Sequence, residues 1–461
     1  MSASTTSVTR GFEVLELDAQ TLRDLEVFES SQPGVSLFDL CNHTRGKSGA
    51  RALRTRMARP WSSPERIVSV QLSLQCILEH QAIFELLPTY VTAQIVDRYF
   101  SGTLPGLLGE NFFDFGIGLI DLMLTDSRRY HMIVQGVGVT TTLIHGLRQV
   151  VFHEALTKIP DCELAALLNE MRELLSSPGL ARITSKHAST LNNWSTLRCD
   201  QVYRLQEKTG ITRLVQLMHE MDALISMAET TRIHHFVFPR IKTGDLEVQA
   251  ESVVHPLVNH AVENPVSLDQ THRLLFLTGP NMAGKTTYLR AFATAVYFAH
   301  LGMGVPARAF SFVPAQKLFT SISLADNLHS GISFFRAEAL RVKAIAQAVA
   351  DDYRVIAVMD EPFKGTNVKD AFDASRVILE RFASKAGNLF MFSSHLIELC
   401  DNLGSIAQVD CRFFEACEDE GKLRFEYRIR PGVSSQRLGM RVLKEEGIFE
   451  LLDAQGKQLS G

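Results

Sequence analysis

The chain has 461 residues, enough for two or three domains of ordinary size. Hydrophobic residues make up 46% of it and the formal net charge is only −4, which excludes a disordered chain, a collagen-like fibre and a bulk polycation. Any contact with nucleic acid must therefore come from local basic patches rather than from the overall charge.

The cysteines and the apolar segments indicate a cellular compartment. The seven cysteines are few, odd in number and dispersed, which is typical of a reducing compartment. The first residues contain no apolar segment of the kind that a signal peptide requires. The most apolar stretches, Phe112–Leu124 and Ala291–Leu301, are shorter than the ~18 residues of a membrane span. The sequence therefore predicts a cytoplasmic protein without a membrane contact.

The first half of the chain has the pattern of helices. Helix Pro64–His80 has the clearest start, because Ser63 can cap it and Pro64 takes the first helical position. Apolar residues at three- and four-residue steps predict further helices, at Leu17–Phe28, Ser48–Met57, Cys162–Leu175 and Thr212–Thr230. Residues 1–235 are therefore predicted to form a helical domain.

The second half alternates short apolar strands with helices. The strands are predicted at Phe236–Phe238, Leu246–Val248, Arg273–Thr278, Val355–Met359 and Asn388–Phe392. Strands that alternate with helices are typical of an α/β domain. The change of character lies near Pro239, so this second domain is predicted to span residues 236–461.

A glycine-rich loop follows the strand Arg273–Thr278. It has the pattern G-x-x-x-x-G-K-[ST] between a strand and a helix, with the residues Gly279, Pro280, Asn281, Met282, Ala283, Gly284, Lys285 and Thr286. Glycines let backbone amides turn toward phosphate oxygens, and the helix N-terminus adds partial positive charge. Lys285 can contact the β- and γ-phosphates, Thr286 can bind Mg²⁺, and Thr287 follows in the same turn. The loop therefore predicts ATP as ligand and Mg²⁺ as its cofactor.

Two later strands end in residues that suit phosphate hydrolysis. Asp360 leaves the strand Val355–Met359 and can hold Mg²⁺, while Glu361 can orient and deprotonate an attacking water. His395 comes just after the strand Asn388–Phe392 and can sense the γ-phosphate or position that water. This set favours hydrolysis of ATP over phosphoryl transfer to a small molecule.

Residues around these motifs resemble the MutS family of DNA mismatch-repair proteins. The segment Thr278–Arg290 resembles that family's ATPase domain well beyond the general loop pattern. The similarity continues through His255-Pro256, Phe312–Ala315, Asp326–Phe335 with Glu338, Gly365–Asn367, Ser394–Leu399 and Pro431–Gly447. More weakly, Leu37–Ile67 resembles the family's core domain. The resemblance covers roughly residues 15–75 and 236–450.

The resemblance implies a P-loop ATPase domain of the ABC type, α/β in fold, preceded by an all-α core and lever domain. It implies a homodimer with composite ATP sites, in which Ser330, Ser333 and Asn367 act on the partner's ATP. It also implies binding of double-stranded or branched DNA, in repair or recombination. ATP would clamp the two ATPase domains together and hydrolysis would release them, with the helical levers passing this state to DNA.

The sequence departs from the family pattern at three places. The chain begins at the core domain, so we expect no intrinsic mismatch recognition. Pro362-Phe363-Lys364 stands where the family usually has a Gly-Arg pair. Ala261 stands near the position of the aromatic residue that stacks on adenine in many members, so the base must be held elsewhere or more weakly.

Several interpretations stay open. A basic run could grip DNA or form a solvated face, with the residues Arg45, Lys47, Arg51, Arg54, Arg56 and Arg59. An alternative function is an ATP-dependent switch that acts on protein partners without contacting DNA. An ABC-type transporter subunit is disfavoured by the segment Ser330–Ser333 and by the soluble helical half. A metal site at His395, Cys400, Cys411 and Cys417 is disfavoured because their spacing matches no tight pair.

Overall fold

The computed structural model describes residues 13–30, 35–101, 127–183, 193–322, 334–419, 422–433, 447–449 and 451–452. The chain forms two compact units. The helical unit consists of residues 41–58 and 68–232, and the sheet unit consists of residues up to 40, 59–67 and those from 233 onward. In the part of the chain just given, no helix is both long enough and apolar enough to cross a membrane.

The regular elements are as follows. The α-helices are α1 (Ala19–Asp24), α2 (Leu37–Cys41), α3 (Lys47–Met57), α4 (Pro64–Glu79), α5 (Gln81–Glu85), α6 (Tyr90–Ser101), α7 (Ser127–Val151), α8 (Glu163–Leu175), α9 (Pro178–Ala181), α10 (Asn193–Gln201), α11 (Lys208–Ile233), α12 (Lys285–His300), α13 (Phe334–Ala350), α14 (Val368–Ala383) and α15 (Leu399–Leu403). The strands are β1 (Glu16–Leu17), β2 (Arg240–Ile241), β3 (Val248–Val253), β4 (Asn264–Leu268), β5 (Leu274–Thr278), β6 (Ala309–Phe312), β7 (Lys317–Ser321), β8 (Val355–Asp360), β9 (Leu389–Ser393), β10 (Val409–Asp419) and β11 (Lys422–Pro431).

Helices make up the regular structure of the helical unit wherever it is described. The four helices predicted between residues 48 and 230 are confirmed as α3, α4, α8 and α11, with ends shifted by up to four residues. Close packing explains Gly136 in α7, since a Cβ there would lie 2.2 Å from the ring of Tyr99 on α6. Gly49 on α3 has the same role, since its Cβ would lie 2.0 Å from the carboxylate of Asp222 on α11.

A mixed sheet forms the centre of the sheet unit, which is therefore α/β. Its strand order is β1-β7-β8-β9-β5-β10-β11, and every neighbouring pair is parallel except β10 and β11. β5 and β9 are buried at every residue, which suits strands covered on both faces. Apolar side chains fill the core, where the rings of Phe382 and Phe390 stack with centroids 4.6 Å apart.

A second sheet has the strand order β2-β6-β3-β4. One of the strands predicted in this part of the chain was wrong. Residues Phe236–Phe238 form no strand, because only Val237 pairs, in an isolated bridge with Val305. The strand predicted at Leu246–Val248 begins only at its last residue, as β3. The three remaining strand predictions are confirmed as β5, β8 and β9, each within one residue at either end.

The segment before residue 40 belongs to the sheet unit. β1 pairs in parallel with β7, and Asp24 accepts hydrogen bonds from the Thr320 hydroxyl (2.8 Å) and the Ile322 amide (2.9 Å). The helix predicted at Leu17–Phe28 is shortened to Ala19–Asp24 for this reason. A strand of two residues carries too little periodicity to be recognised in a sequence. The division of the chain into two functional domains, residues 1–235 and 236–461, remains a prediction.

Asp222 makes the stability of the helical unit depend on pH. Its carboxylate is 8% exposed and accepts hydrogen bonds from the Arg45 amide at 3.0 and 3.3 Å. Burial raises the pKa of Asp222 from 3.8 to about 6, although the Arg45 amide and charge oppose this. The folded protein therefore holds this proton more tightly than the unfolded chain. It loses about 2 kcal/mol of unfolding free energy as the pH rises from about 4 to about 6.

We expect Asp222→Asn to remove this dependence, because the amide keeps an oxygen for the Arg45 amide and does not titrate. Urea unfolding at pH 4.5 and pH 7 would measure it. The free energy of the variant minus that of the wild type should rise by about 2 kcal/mol between the two pH values. A difference that does not change with pH would contradict the assignment.

Candidate nucleotide site

The loop between β5 and α12 has left-handed backbone at three positions. The angle φ is 141° at Gly279, 67° at Met282 and 99° at Gly284. A Cβ at residue 279 would lie 2.8 Å from the carbonyl oxygen of Phe414, so both conformation and space require glycine there. Left-handed residues between right-handed ones turn successive amides to one side, which can surround an anion. The N-terminal amides of α12 follow directly and favour the same charge.

Lys285 connects this loop to the carboxyl end of β8. Its side chain is 4% exposed, and Nζ donates to the carbonyl oxygens of Gly279 (2.8 Å) and Pro280 (3.1 Å). The same nitrogen lies 3.5 Å from a carboxylate oxygen of Glu361. Burial lowers the pKa of Lys285, while the negative charges of Glu361 and Asp360 act in the opposite direction. The ammonium group is thus held at the loop by partners that a phosphate can replace.

Asp360 joins the loop to the neighbouring strand β9. The Thr286 hydroxyl donates to one of its carboxylate oxygens at 2.6 Å, and the Ser393 hydroxyl donates to the other. The parallel register brings this about, since it places Asp360 opposite Ser393. Among the described residues, no three His, Cys, Asp or Glu side chains cluster closely enough to hold a metal alone. One carboxylate and one hydroxyl fit Mg²⁺, which usually takes its other ligands from water and phosphate.

Glu361 is held by three basic side chains. Its side chain is 10% exposed; His395 Nε2 donates to one oxygen, and Lys364 Nζ forms an ion pair with the other. Burial alone would raise the pKa of Glu361, but hydrogen bonds from His395 and Lys364, and the charge of Lys285, lower it to about 2. The carboxylate is therefore ionised at neutral pH and well suited to orient a water molecule.

The turn after Glu361 contains the departure from the family pattern. Phe363 has a φ of 67°, yet its side chain is only 2% exposed. Glu338 on α13 is 3% exposed and accepts hydrogen bonds from the amides of Lys364 (3.2 Å) and Gly365 (3.3 Å). Burial raises the pKa of Glu338, and these amides oppose the increase. A buried carboxylate on α13 therefore fixes the turn that carries Lys364.

A cleft of about 520 Å³ opens beside the loop. Tyr427 of β11 lies on its wall with a side chain that is 44% exposed. A Cβ at Gly284 would lie 3.1 Å from this ring, so the ring stands close over the loop. Another part of the wall comes from the segment between β3 and β4, with the residues Val258, Asn259, His260, Ala261 and Val262. The cleft is large enough for a purine nucleotide next to the phosphate loop.

Most of the predicted site residues meet here. Those that line the cleft are Pro280, Asn281, Met282, Gly284, Lys285, Thr286, Thr287 and Glu361. Ala283 does not, because it is buried with 1% exposure. Asp360 and His395 contact the lining residues Thr286 and Glu361. Ser330 and Ser333 lie outside the described residues. Asn367 caps α14, accepting a hydrogen bond from the Asp370 amide at 2.9 Å.

Tyr427 and Asn264 were not predicted. Asn264 lies at the start of β4, also lines the cleft and contacts the backbone at Tyr427. Tyr427 lies in a segment of alternating charges, which in a sequence is typical of a solvated strand. An aromatic residue among these charged residues was the sequence feature that could have indicated a binding role for Tyr427.

Comparison with known proteins identifies relatives of the chain. Residues 275–458 match MutS domain V. The DNA mismatch repair protein MutS of Streptococcus sanguinis is 30% identical over 292 residues, which is 61% of this chain and 34% of that protein. The protein of the same name from an Exiguobacterium species is 30% identical over 259 residues, or 54% and 30% of the two chains. The chain thus spans about a third of the length of the relatives it matches.

Proposed function

The chain belongs to the MutS family, and on that premise we propose that it is an ATPase that works as a DNA-linked switch. One observation carries this proposal. The loop after β5 and the carboxyl ends of β8 and β9 bring Lys285, Asp360 and Glu361 together beside an open cleft. Charged groups of both signs around a phosphate-type loop suit the binding and hydrolysis of a nucleoside triphosphate.

The phosphates would bind at the loop and at Lys285. The Lys285 ammonium would exchange the carbonyl oxygens of Gly279 and Pro280 for phosphate oxygens, which form stronger, charge-assisted hydrogen bonds. Thr286 and Asp360 would hold Mg²⁺, which when bound neutralises charge on the phosphate oxygens. Loop, lysine and carboxylate thereby orient the γ-phosphate toward Glu361.

Glu361 and His395 would prepare the attacking water. The carboxylate can accept a hydrogen bond from that water and direct its lone pair at the γ-phosphorus. His395 donates to the same carboxylate and is 42% exposed, so it can also reach a group in the cleft. Lys364 holds the second carboxylate oxygen and fixes the orientation of the first.

Tyr427 would hold the base. Its ring stands over Gly284 and is exposed toward the cleft. An aromatic face beside the phosphate loop offers one stacking surface, worth roughly 0.5–1.5 kcal/mol. Ala261 also lines the cleft and has no ring that could stack on a base. Tyr427 would therefore support the base, which the sequence alone could not assign to any residue because Ala261 stands near the usual aromatic position.

The remaining parts of the proposal rest on the family resemblance. The protein would act as a homodimer, with Ser330 and Ser333 completing the partner's site, and would serve DNA repair or recombination. For DNA, α3 presents Lys47, Arg51 and Arg54 exposed on one face. Elsewhere in the basic run, Arg56 pairs with Glu163, and the Arg45 guanidinium donates to the carbonyl oxygens of Phe84 and Leu87.

We expect Lys285→Ala to weaken ATP binding about 100-fold or more, because two charge-assisted contacts to phosphate are lost. Isothermal titration with ATP and Mg²⁺ would measure the affinity. Lys364→Ala is the matched control, since Lys364 also contacts Glu361 but its side chain is 55% exposed, whereas that of Lys285 is buried at the loop. It should retain affinity within about 3-fold. Wild-type affinity in Lys285→Ala would refute the phosphate site.

We expect Glu361→Gln to bind ATP but to hydrolyse it at least ~10²-fold more slowly, the scale of a lost general base. The amide keeps the size of the side chain and removes its charge. Turnover at saturating ATP would measure this, with the surface variant Glu380→Gln on α14 as control. Unchanged turnover would mean that another group prepares the water.

The link to DNA can be tested by ATP hydrolysis with matched duplex, mismatched duplex and four-way-junction DNA, after subtraction of the Lys285→Ala rate. We expect at least one DNA to change the rate several-fold. If α3 neutralises three phosphates, affinity for that DNA should fall about 40-fold between 50 and 200 mM salt. The triple variant Lys47→Gln, Arg51→Gln, Arg54→Gln should lose most of this dependence. A working ATPase with a flat response would favour the protein-directed switch.

A further inference from the structure

Tyr427 lies where the ladder between β10 and β11 is interrupted. The register shifts between Phe414, which pairs with Ile429, and Ala416, which pairs with Phe425. Tyr427 falls between these two pairs, and its φ of 55° is left-handed, an unusual conformation for an aromatic residue. A bulge of this kind redirects a side chain out of the sheet. Here it directs the ring into the cleft, at the cost of regular pairing around residue 427.

Asn264 supplies hydrogen bonds at this interruption. Its Nδ2 donates to the carbonyl oxygen of Tyr427 at 2.8 Å, and its Oδ1 accepts from the amide of Ile429 at 2.7 Å. Bonds to the carbonyl of one residue and the amide of the second residue after it are what an adjacent strand would make. The Asn264 Nδ2 group also donates to the Val262 carbonyl oxygen at 3.2 Å, and Val262 lines the cleft as well.

The burial of Asn264 gives these bonds their strength. The residue is 6% exposed, so its amide is shielded from water, and its loss would remove the side-chain partner of the Tyr427 carbonyl and of the Ile429 amide. A buried side chain that makes the hydrogen bonds of a neighbouring strand can stabilise a left-handed residue where the pairing of β10 with β11 is interrupted. The ring itself lies close to Gly284 and has its centroid 6.1 Å from that of the Phe425 ring.

We infer that Asn264 is a positioning residue for nucleotide binding, which holds the ring of Tyr427 over the phosphate loop through the backbone of residues 427–429. This inference rests on the proposed function, because the bound molecule is taken to be a purine nucleotide. It goes further by assigning the geometry of the base-binding wall to a residue on β4. Asn264 acts through Tyr427, whether or not it also touches the nucleotide.

The test compares ATP affinity and turnover in four variants. Asn264→Ala and Tyr427→Ala should each weaken ATP binding about 3- to 10-fold, the effect of one stacking contact. The double variant should bind no more weakly than Tyr427→Ala alone, because both changes remove the same contact. In Asn264→Ala and Tyr427→Ala, turnover at saturating ATP should change less than the affinity for ATP, because the lost contact is to the base and not to the reacting phosphate. The control Asn388→Ala removes another buried asparagine, which bonds the Val355 amide at 3.0 Å, and should leave affinity unchanged.

Each contrary result overturns a distinct statement. Normal affinity in Asn264→Ala, or losses that add in the double variant, would refute the positioning role. Normal affinity in Tyr427→Ala would refute stacking on that ring, and an absence of ATP binding by the wild type would refute the proposed function itself. Should Asn264→Ala fail to fold, Asn264→Leu gives the same test. It keeps a side chain of similar size, removes the same hydrogen bonds and adds no charge to the cleft, so we expect the same selective loss of affinity.

Discussion

Parallel pairing of β5, β9 and β8 is the constraint on which the site depends. The register places Leu277 and Asp360 opposite the same residue, Ser393, so the phosphate loop and the acidic residues leave the sheet at one level. A slip by one residue would turn Asp360 to the other face and separate it from Thr286. Buried side chains hold the register, among them Phe276 and Phe392, whose rings stack 5.9 Å apart. The packing of buried side chains within the sheet therefore sets the geometry of the charged groups at its carboxyl edge.

Sequence reasoning reached those parts of the site that lie directly at the ends of apolar runs. The loop, Asp360, Glu361 and His395 each follow a buried strand, and parallel strands bring such ends together in any sheet of this kind. Tyr427 and Asn264 were out of reach, because 163 residues separate them and their contact depends on a bulge in an edge hairpin. β1 was missed for the related reason that its two residues pair with a strand 300 positions away.

The turn at Pro362-Phe363-Lys364 shows how a departure from a family pattern can be accommodated. A left-handed phenylalanine costs about 1–2 kcal/mol in backbone energy, where glycine would cost little. Full burial of its ring gains about 1.5–3 kcal/mol, so burial can outweigh the strain. The Phe335 ring of α13 packs 6.0 Å from it, and Glu338 of the same helix binds the next two amides. α13 thus supplies both the apolar and the polar support.

The Glu361 carboxylate also connects the loop to that turn. It forms ion-pair contacts with Lys285, Lys364 and His395. On the proposed function, a triphosphate carries several negative charges and competes for Lys285, the one of these three that also bonds the loop. Glu361 would keep Lys364 and His395, and the oxygen that faces Lys285 would still accept from His395 Nε2 while it could also accept a hydrogen bond from water. Glu338 holds Lys364 through the backbone, so the Lys364–Glu361 ion pair and the buried Glu338 carboxylate together link the side chain of Glu361 to α13.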